Sequence, residues 1–354
     1  METVFEYIST KDRLIAACEK LSEEKEFGID IECENNLHHY GAFITLIQIS
    51  GKENYIIDVL KLKDIGPLLK ILEDKNITKI FHDISYDLRM LNSQFKCRPK
   101  NIFDTEIAAQ LLGKENIGLK SLLEEYFGVQ KARKFQKADW TKRPISQEML
   151  SYAIKDSLYL IKLKAKFLSL AKRKKREEWI IEEMKYLESL DLKFDPPSFE
   201  NMSKSKFISD TQRAILKRFY DIREEMAENL NRPVHFVISN KRLIEISKES
   251  PHDFNFWKNI KGVHPVIRAN AKKYLEAEKK GIKEKLKIKR PERIRNSPTQ
   301  AKIIEMLEKQ RSFVSEKNKI AAHLIISKKQ IREIAHKGHT DGLRNWQKKL
   351  LKIN

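Results

Sequence analysis

The chain has 354 residues, 41% hydrophobic and 34% charged, with 70 Lys and Arg against 50 Asp and Glu, a formal net charge of +20. That length admits two or three domains with real cores, and the composition excludes a collagen-like or globally disordered chain. The basic excess favours a polyanionic partner, nucleic acid or an anionic membrane surface, while no apolar run approaches the ~20 residues that cross a bilayer. In chain order, METVFEYIST lacks a basic stretch followed by an apolar one, so no secretory signal is expected there. Strand-like runs follow at 27–33, 44–50, 55–58, 79–81 and 101–103. Helical patterns cover 12–22, 65–72, 86–92, 105–112, 119–127 and 147–170. Local strands that then alternate with helices predict a mixed α/β layer structure. Cys18, Cys33 and Cys97 form no CxxC pair, which argues against a disulfide scaffold or a cysteine zinc site and fits a reducing cytosol.

Past Leu170 the pattern changes. The basic run Ala171 to Arg176 is expected inside a helix that continues toward Leu190, and Pro196-Pro197 then breaks regular structure. Beyond Lys206 the tail reads as helical, with Ile215, Phe219, Ile222, Met226 and Leu230 on one stripe. The tail also repeats. Residues 233–246 resemble residues 321–334, and Ile215, Phe219 and Arg223 match Ile303, Leu307 and Arg311 at one offset of 88. Two copies of a small helical domain are expected, with Ser239 and Ser327 as N-caps and 281–299 as the linker.

Asp30 and Glu32 stand two apart in a strand and therefore share a face. Two carboxylates side by side repel, and a divalent cation would relieve that repulsion; a solvated edge strand is the alternative. Tyr152 and Asp156 are four apart in a helical stretch and also share a face, where they could instead be a core-edge tyrosine and a surface ion pair. Asp87 follows a strand at the start of a helix, where its charge also suits the N-terminus.

Asp30-Ile31-Glu32, Asp87, and Tyr152 with Asp156 resemble, in order and spacing, the three motifs of the DEDD 3′-5′ exonucleases of the tyrosine subtype. Phe103-Asp104-Thr105 and Asp139 to Pro144 resemble connecting segments of the ribonuclease D family. The tail, with Ile260 to Pro265, resembles HRDC domains. Two positions depart from the family pattern: Asp83 follows the motif histidine His82, and Ile31 separates the first carboxylates. Neither removes a metal ligand.

The resemblance implies an α/β exonuclease core of ribonuclease H-like type, a mixed sheet with helices, followed by two small all-α HRDC-like domains. The expected divisions are 1–172 for the exonuclease domain, 173–205 for a helical linker, 206–283 for the first HRDC-like domain and 295–354 for a divergent second. It implies two divalent cations, Mg²⁺ or Mn²⁺, held by Asp30, Glu32, Asp87 and Asp156, with Tyr152 orienting the attacking water. The implied activity is release of nucleoside 5′-monophosphates from RNA 3′ ends, with tRNA precursor trailers and other small structured RNAs as substrates. The alternatives are a single-stranded DNA or broad-specificity exonuclease, or a catalytically silent nucleic-acid-binding protein. A cytoplasmic monomer without membrane attachment is expected. Substrate contacts are expected from Phe43, which could equally fill the core; from Lys134, Lys137, Trp140, Lys142 and Arg143, in a loop that could instead be merely solvated, with Trp140 packing either the loop or a base; and from Arg223, Arg232, Lys241, Arg242 and Arg268 in the tail. The repeated tail is expected to hold structured RNA while the core acts on its unpaired end; otherwise the second copy covers an apolar face.

Overall fold

The strand-like runs of the N-terminal region pair into one six-stranded sheet. The computed structural model describes residues 4–130, 134–196, 198–203, 208–287 and 295–353. Pro197 of the expected break, part of the 173–205 linker and residues 288–294 of the 281–299 linker lie outside the described residues. The strands are β1 (Glu6–Ile8), β2 (Glu26–Asn35), β3 (Ala42–Ser50), β4 (Asn54–Asp58), β5 (Thr78–Phe81) and β6 (Ile102–Asp104), in the order β1-β4-β3-β2-β5-β6. β1 is parallel to β4, β4 antiparallel to β3, and β5 parallel to both β2 and β6. β1 was not among the expected runs, because three residues are too few to show an alternation.

Helices α1 (Lys11–Ser22), α2 (Val59–Leu62), α3 (Gly66–Glu73), α4 (Ser85–Phe95), α5 (Thr105–Leu111) and α6 (Leu119–Phe127) alternate with or follow the strands. The single helix expected over 147–170 is three pieces, α7 (Gln147–Ala153), α8 (Lys155–Leu158) and α9 (Leu160–Lys174). Ile154 keeps right-handed helical angles between the first two, so Tyr152 and Asp156 still lie on one helical path. The basic run is not one continuous helix either. Lys175 turns left-handed with φ 56°, and α10 (Glu177–Ser189) starts afresh. The reason is Arg176, whose buried guanidinium donates to the carbonyls of Leu111 (2.7 Å) and Asn318 (2.6 Å).

The chain forms two compact units. One comprises Met1–Glu32, Ile44–Phe194 and Ile294–Asn354; the other comprises Cys33–Phe43 and Asp195–Arg293. The second unit is helical from α11 (Phe199–Ser203) through α12 (Asp210–Asn229), α13 (Val234–Val237), α14 (Asn240–Glu249), α15 (Phe254–Asn259) and α16 (Pro265–Ala269) to α17 (Ala271–Ile282). Its core gathers Phe219, Trp257 and Tyr274. Helices α18 (Pro298–Asn318), α19 (Ala322–Ile325), α20 (Lys328–Lys337) and α21 (Asn345–Leu351) belong to the first unit. Ser239 and Ser327 cap α14 and α20 as expected, each accepting from a backbone N–H three residues on. A mixed sheet with helices followed by a helical domain is thus the architecture.

Candidate active site

β2 carries Asp30 and Glu32 onto the sheet face that packs under α8. Gly28 precedes them on that face, and a Cβ there would collide with the Ser157 carbonyl oxygen, so glycine permits the close approach. That approach brings Asp156 down to the strand. One carboxylate oxygen from each of Asp30, Glu32 and Asp156 lies within 4.8 Å of the others. Three like charges so close favour a cation between them.

Asp87 enters from the first turn of α4 and is buried. Burial pushes its carboxyl well above the usual range, and the charges of Asp30, Asp83, Asp104 and Glu32 push it further. The turn that launches α4 is tied down by Asp104. Its carboxylate accepts from the backbone N–H of Asp83 (3.2 Å) and Ile84 (3.0 Å) while capping α5 through Glu106 and Ile107. Asp83 itself adopts φ 60°. Burial raises Asp104 to about 6 even against those donors. Glu106 is raised to about 7 by burial and by the charges of Asp83 and Asp104.

A cleft of about 420 Å³ opens over these groups, lined by Asp30, Glu32, Asp156, Tyr152, His82, Asp83, Gln136 and the N-terminal turn of α6 with Lys120. Tyr152 is backed by two rings. Phe135 meets it edge-on at 5.4 Å, and Trp140 stacks at 6.4 Å. Burial, then Glu32 and Asp30, raise the phenol's pKa, so it stays protonated near neutral pH.

The loop before α7 differs from expectation at two positions. Trp140 is only 4% exposed, so its ring supports Tyr152 and is not available to stack on a base. Arg143 is engaged in a buried fork: Nε donates to Asp58 Oδ2 (2.6 Å) and Nη2 to Oδ1 (2.8 Å), and the carbonyls of Trp140, Lys142 and Thr45 take further N–H groups. The Tyr7 hydroxyl also donates to Asp58. With that many partners the guanidinium pins the loop and has no face for a phosphate. Lys134, Lys137 and Lys142 are all exposed, Lys134 pairing with Glu148 at 2.7 Å and Lys142 with Asp139 at 4.0 Å.

Phe43 is half-buried and falls in the second unit with the tail arginines. Arg223 is 2% exposed and donates to Asn240 (2.5 Å) and Glu224 (3.1 Å), so it is a core group there and cannot present a phosphate site. Arg232 lies over Phe236, Arg242 reaches Glu245 and Arg268 donates to the Ile260 carbonyl; all three, and Lys241, keep surface toward solvent. Sequence reading missed Lys120, which looked like an ordinary helix-start lysine, and Asp58, which looked like a strand end.

Residues 5–172 match the family of 3′-5′ exonuclease domains, and residues 212–276 match the HRDC domain. The chain is 31% identical over 267 residues to exosome complex component 10 of Homo sapiens, covering 71% of this chain and 30% of that protein. It therefore spans about a third of that relative's length. It is 31% identical over 256 residues to ribonuclease D of Desulfotalea psychrophila, covering 69% of this chain and 67% of that protein. The crystal structure of Escherichia coli RNase D has the same fold, with a TM-score of 0.72 at 24% identity over 99% of this chain and 97% of that one.

Proposed function

The chain belongs to the ribonuclease D family of 3′-5′ exonucleases, and from that premise we propose that it is a metal-dependent 3′-5′ exoribonuclease releasing nucleoside 5′-monophosphates. The observation that carries this reading is the meeting of Asp30, Glu32 and Asp156 at the floor of an open cleft beside Tyr152. Hard carboxylate oxygens suit two Mg²⁺ or Mn²⁺ ions, which when bound supply an activated water and compensate charge on the phosphoryl and leaving oxygens. Asp30, Glu32 and Asp156 would hold one ion, and Asp30 with Asp87 would support the second. A cation nearby favours the ionised form of Asp87, against the burial that otherwise keeps its proton. Tyr152 orients the water through its hydroxyl. Its raised pKa rules it out as a strong base at neutral pH.

The substrate proposed is RNA, in particular tRNA precursor trailers and other small structured RNAs, acted on by a cytoplasmic monomer. Among the described residues no helix is long and apolar enough to cross a membrane. Helices α12–α17 are read as the HRDC-like domain and α18–α21 as a divergent second copy. The test uses 5′-end-labelled RNA and matched DNA with Mg²⁺, Mn²⁺ or EDTA. RNA should shorten from its 3′ end one nucleotide at a time, EDTA should abolish this, and Asp30→Asn should cut turnover about 1,000-fold with RNA affinity within about threefold. Full activity after rigorous chelation, or a normal Asp30→Asn enzyme, would reject the site.

A further inference from the structure

Gln48 sits in β3 with no exposed surface, and neither its amide nitrogen nor its amide oxygen has a hydrogen-bond partner. A buried amide left in that state destabilises the fold, so its presence asks for another demand on the residue. The strand settles which way it faces. Leu46, Gln48 and Ser50 alternate onto one face of β3. Leu46 joins the apolar cluster of Trp140, Ala153 and Ile154, and so does Ile56, the residue directly across from Gln48 on β4. Ser50 Oγ lies 2.8 Å from Ser157 Oγ. Gln48 therefore faces the short stretch between Ile154 and Ser157, which carries Asp156. On the neighbouring strand β2, Gly28 abuts the Ser157 carbonyl, and Asp30 follows on the same face. The amide thus shares one sheet face, beneath one turn, with two of the three carboxylates that meet.

We propose that Gln48 is a positioning residue for the acidic cluster, its amide N–H donating to the Asp30 carboxylate when the cluster holds cations and so fixing which oxygen turns toward them. The proposal rests on the exonuclease reading of the site. An ionised carboxylate has about four lone-pair sites, more than its cations use, and a charge-assisted bond from an amide fills one of them. The residue type fits the task. A lysine here would compete with the cations, a glutamate would add another repelling charge, and a leucine would suit the core but orient nothing. Only a neutral donor holds the carboxylate while leaving its charge for the cations.

Gln48→Leu and Gln48→Met remove the amide and keep most of the volume. On the full chain three measurements decide: the melting temperature of the metal-free protein, Mn²⁺ affinity by electron paramagnetic resonance, and kcat and KM on a short RNA. Melting should rise by a few degrees, because an unpartnered buried amide is gone. Mn²⁺ binding and kcat should each fall about tenfold, with KM within about twofold. Variants that bind Mn²⁺ and turn over like the parent would leave Gln48 a mere core group and overturn the proposal. A lower melting temperature in both variants would overturn it too, since the amide would then be holding the fold. A parent protein that binds Mn²⁺ but hydrolyses no RNA would reject the exonuclease reading alone, and the melting and Mn²⁺ results would still decide about Gln48.

Discussion

In the first copy of the repeat, Phe219 of α12 faces Trp257 and Tyr274 at ring distances of 5.0 and 5.6 Å, and the apolar stripe closes on its own helices. The matching stripe of the second copy closes on something else. Leu307 and Val314 of α18 lie in one core with Leu111, Phe167 and Ala171 of the exonuclease region, and Trp346 of α21 stacks on Trp179 of α10 at 5.1 Å. Gly113, at φ 77°, lets the chain after α5 press against the Lys319 carbonyl, where a Cβ would collide. The local chemistry of the two copies is alike. Both use serine caps, and Arg223 and Arg311, at matched positions, both bury Nε without a partner. What differs is the tertiary partner: one copy packs within the second unit, and the other packs into the unit that holds the acidic site.

The largest expected effect breaks or confirms that contrast. Deleting residues 295–354 should cost the first unit its cooperative unfolding and abolish hydrolysis of short and structured RNA alike. The point-mutation form compares two tryptophans. Trp346→Ala removes a side chain 1% exposed, together with its 2.8 Å bond to Glu183; it should destabilise the exonuclease unit by about 3–5 kcal/mol. Trp257→Ala, at 0% exposure, should cost as much but act on the second unit, leaving more short-RNA hydrolysis. Limited proteolysis and denaturant curves would show which unit opens. A folded deletion that fails only on structured RNA would restore a capture role for the second copy.

Arg143 sharpens the same lesson at the scale of one side chain. Its guanidinium is 17% exposed and Asp58 is fully buried, so Asp58→Asn should destabilise by about 3 kcal/mol and slow turnover by loosening the backing of Tyr152. Lys142→Gln, at a side chain 80% exposed, should change stability by less than about 0.5 kcal/mol. If Arg143→Lys instead raises KM with an unchanged melting temperature, Arg143 touches phosphate after all.

The legible part of this chain was the part encoded by short spacing. Asp30 with Glu32 and Tyr152 with Asp156 are pairs whose shared face follows from strand or helix geometry alone, and the sheet follows from runs of apolar alternation. The illegible part depends on partners distant in sequence. Arg143 and Lys142 are adjacent cations in sequence, and only the fold shows Asp58 beside one of them. Arg223 reads as a surface arginine until Asn240 is placed against it. The Arg176 break in the basic run is caused by carbonyls 65 and 142 residues away.

A third test concerns pH. Glu106 has a folded pKa of about 7 against an ordinary 4.5, so between those values the folded protein keeps a proton that the unfolded chain has lost. Its contribution to stability therefore falls as pH rises through that window. Glu106→Gln cannot ionise and keeps an oxygen for the Gln110 amide, now 2.8 Å away. The variant's advantage over the parent in unfolding free energy, from urea titrations, should grow between pH 5 and 8 by about 1 kcal/mol after discounting for solvent near a half-buried group. A constant difference across that range would mean that neither burial nor the charges of Asp83 and Asp104 raise Glu106.

The smallest effect concerns Lys120, the one lysine among the described residues that line the cleft. The cleft carries Asp30, Glu32 and Asp156, so a polyanion entering it meets repulsion until cations are bound, and Lys120 in the same lining offsets part of that repulsion. Such a contact acts on substrate and transition state alike, because the backbone phosphate it meets keeps its charge through the reaction. Lys120→Gln should therefore raise KM about threefold to tenfold and leave kcat nearly unchanged, with the difference shrinking as salt is added. Lys137→Gln, outside the lining, should move KM by less than about twofold. The paired measurement separates a cleft contact from general attraction to a chain of net charge +20, since equal KM changes in both variants would mean that any surface lysine serves, whereas a fall in kcat for Lys120→Gln alone would place it at the reacting phosphate.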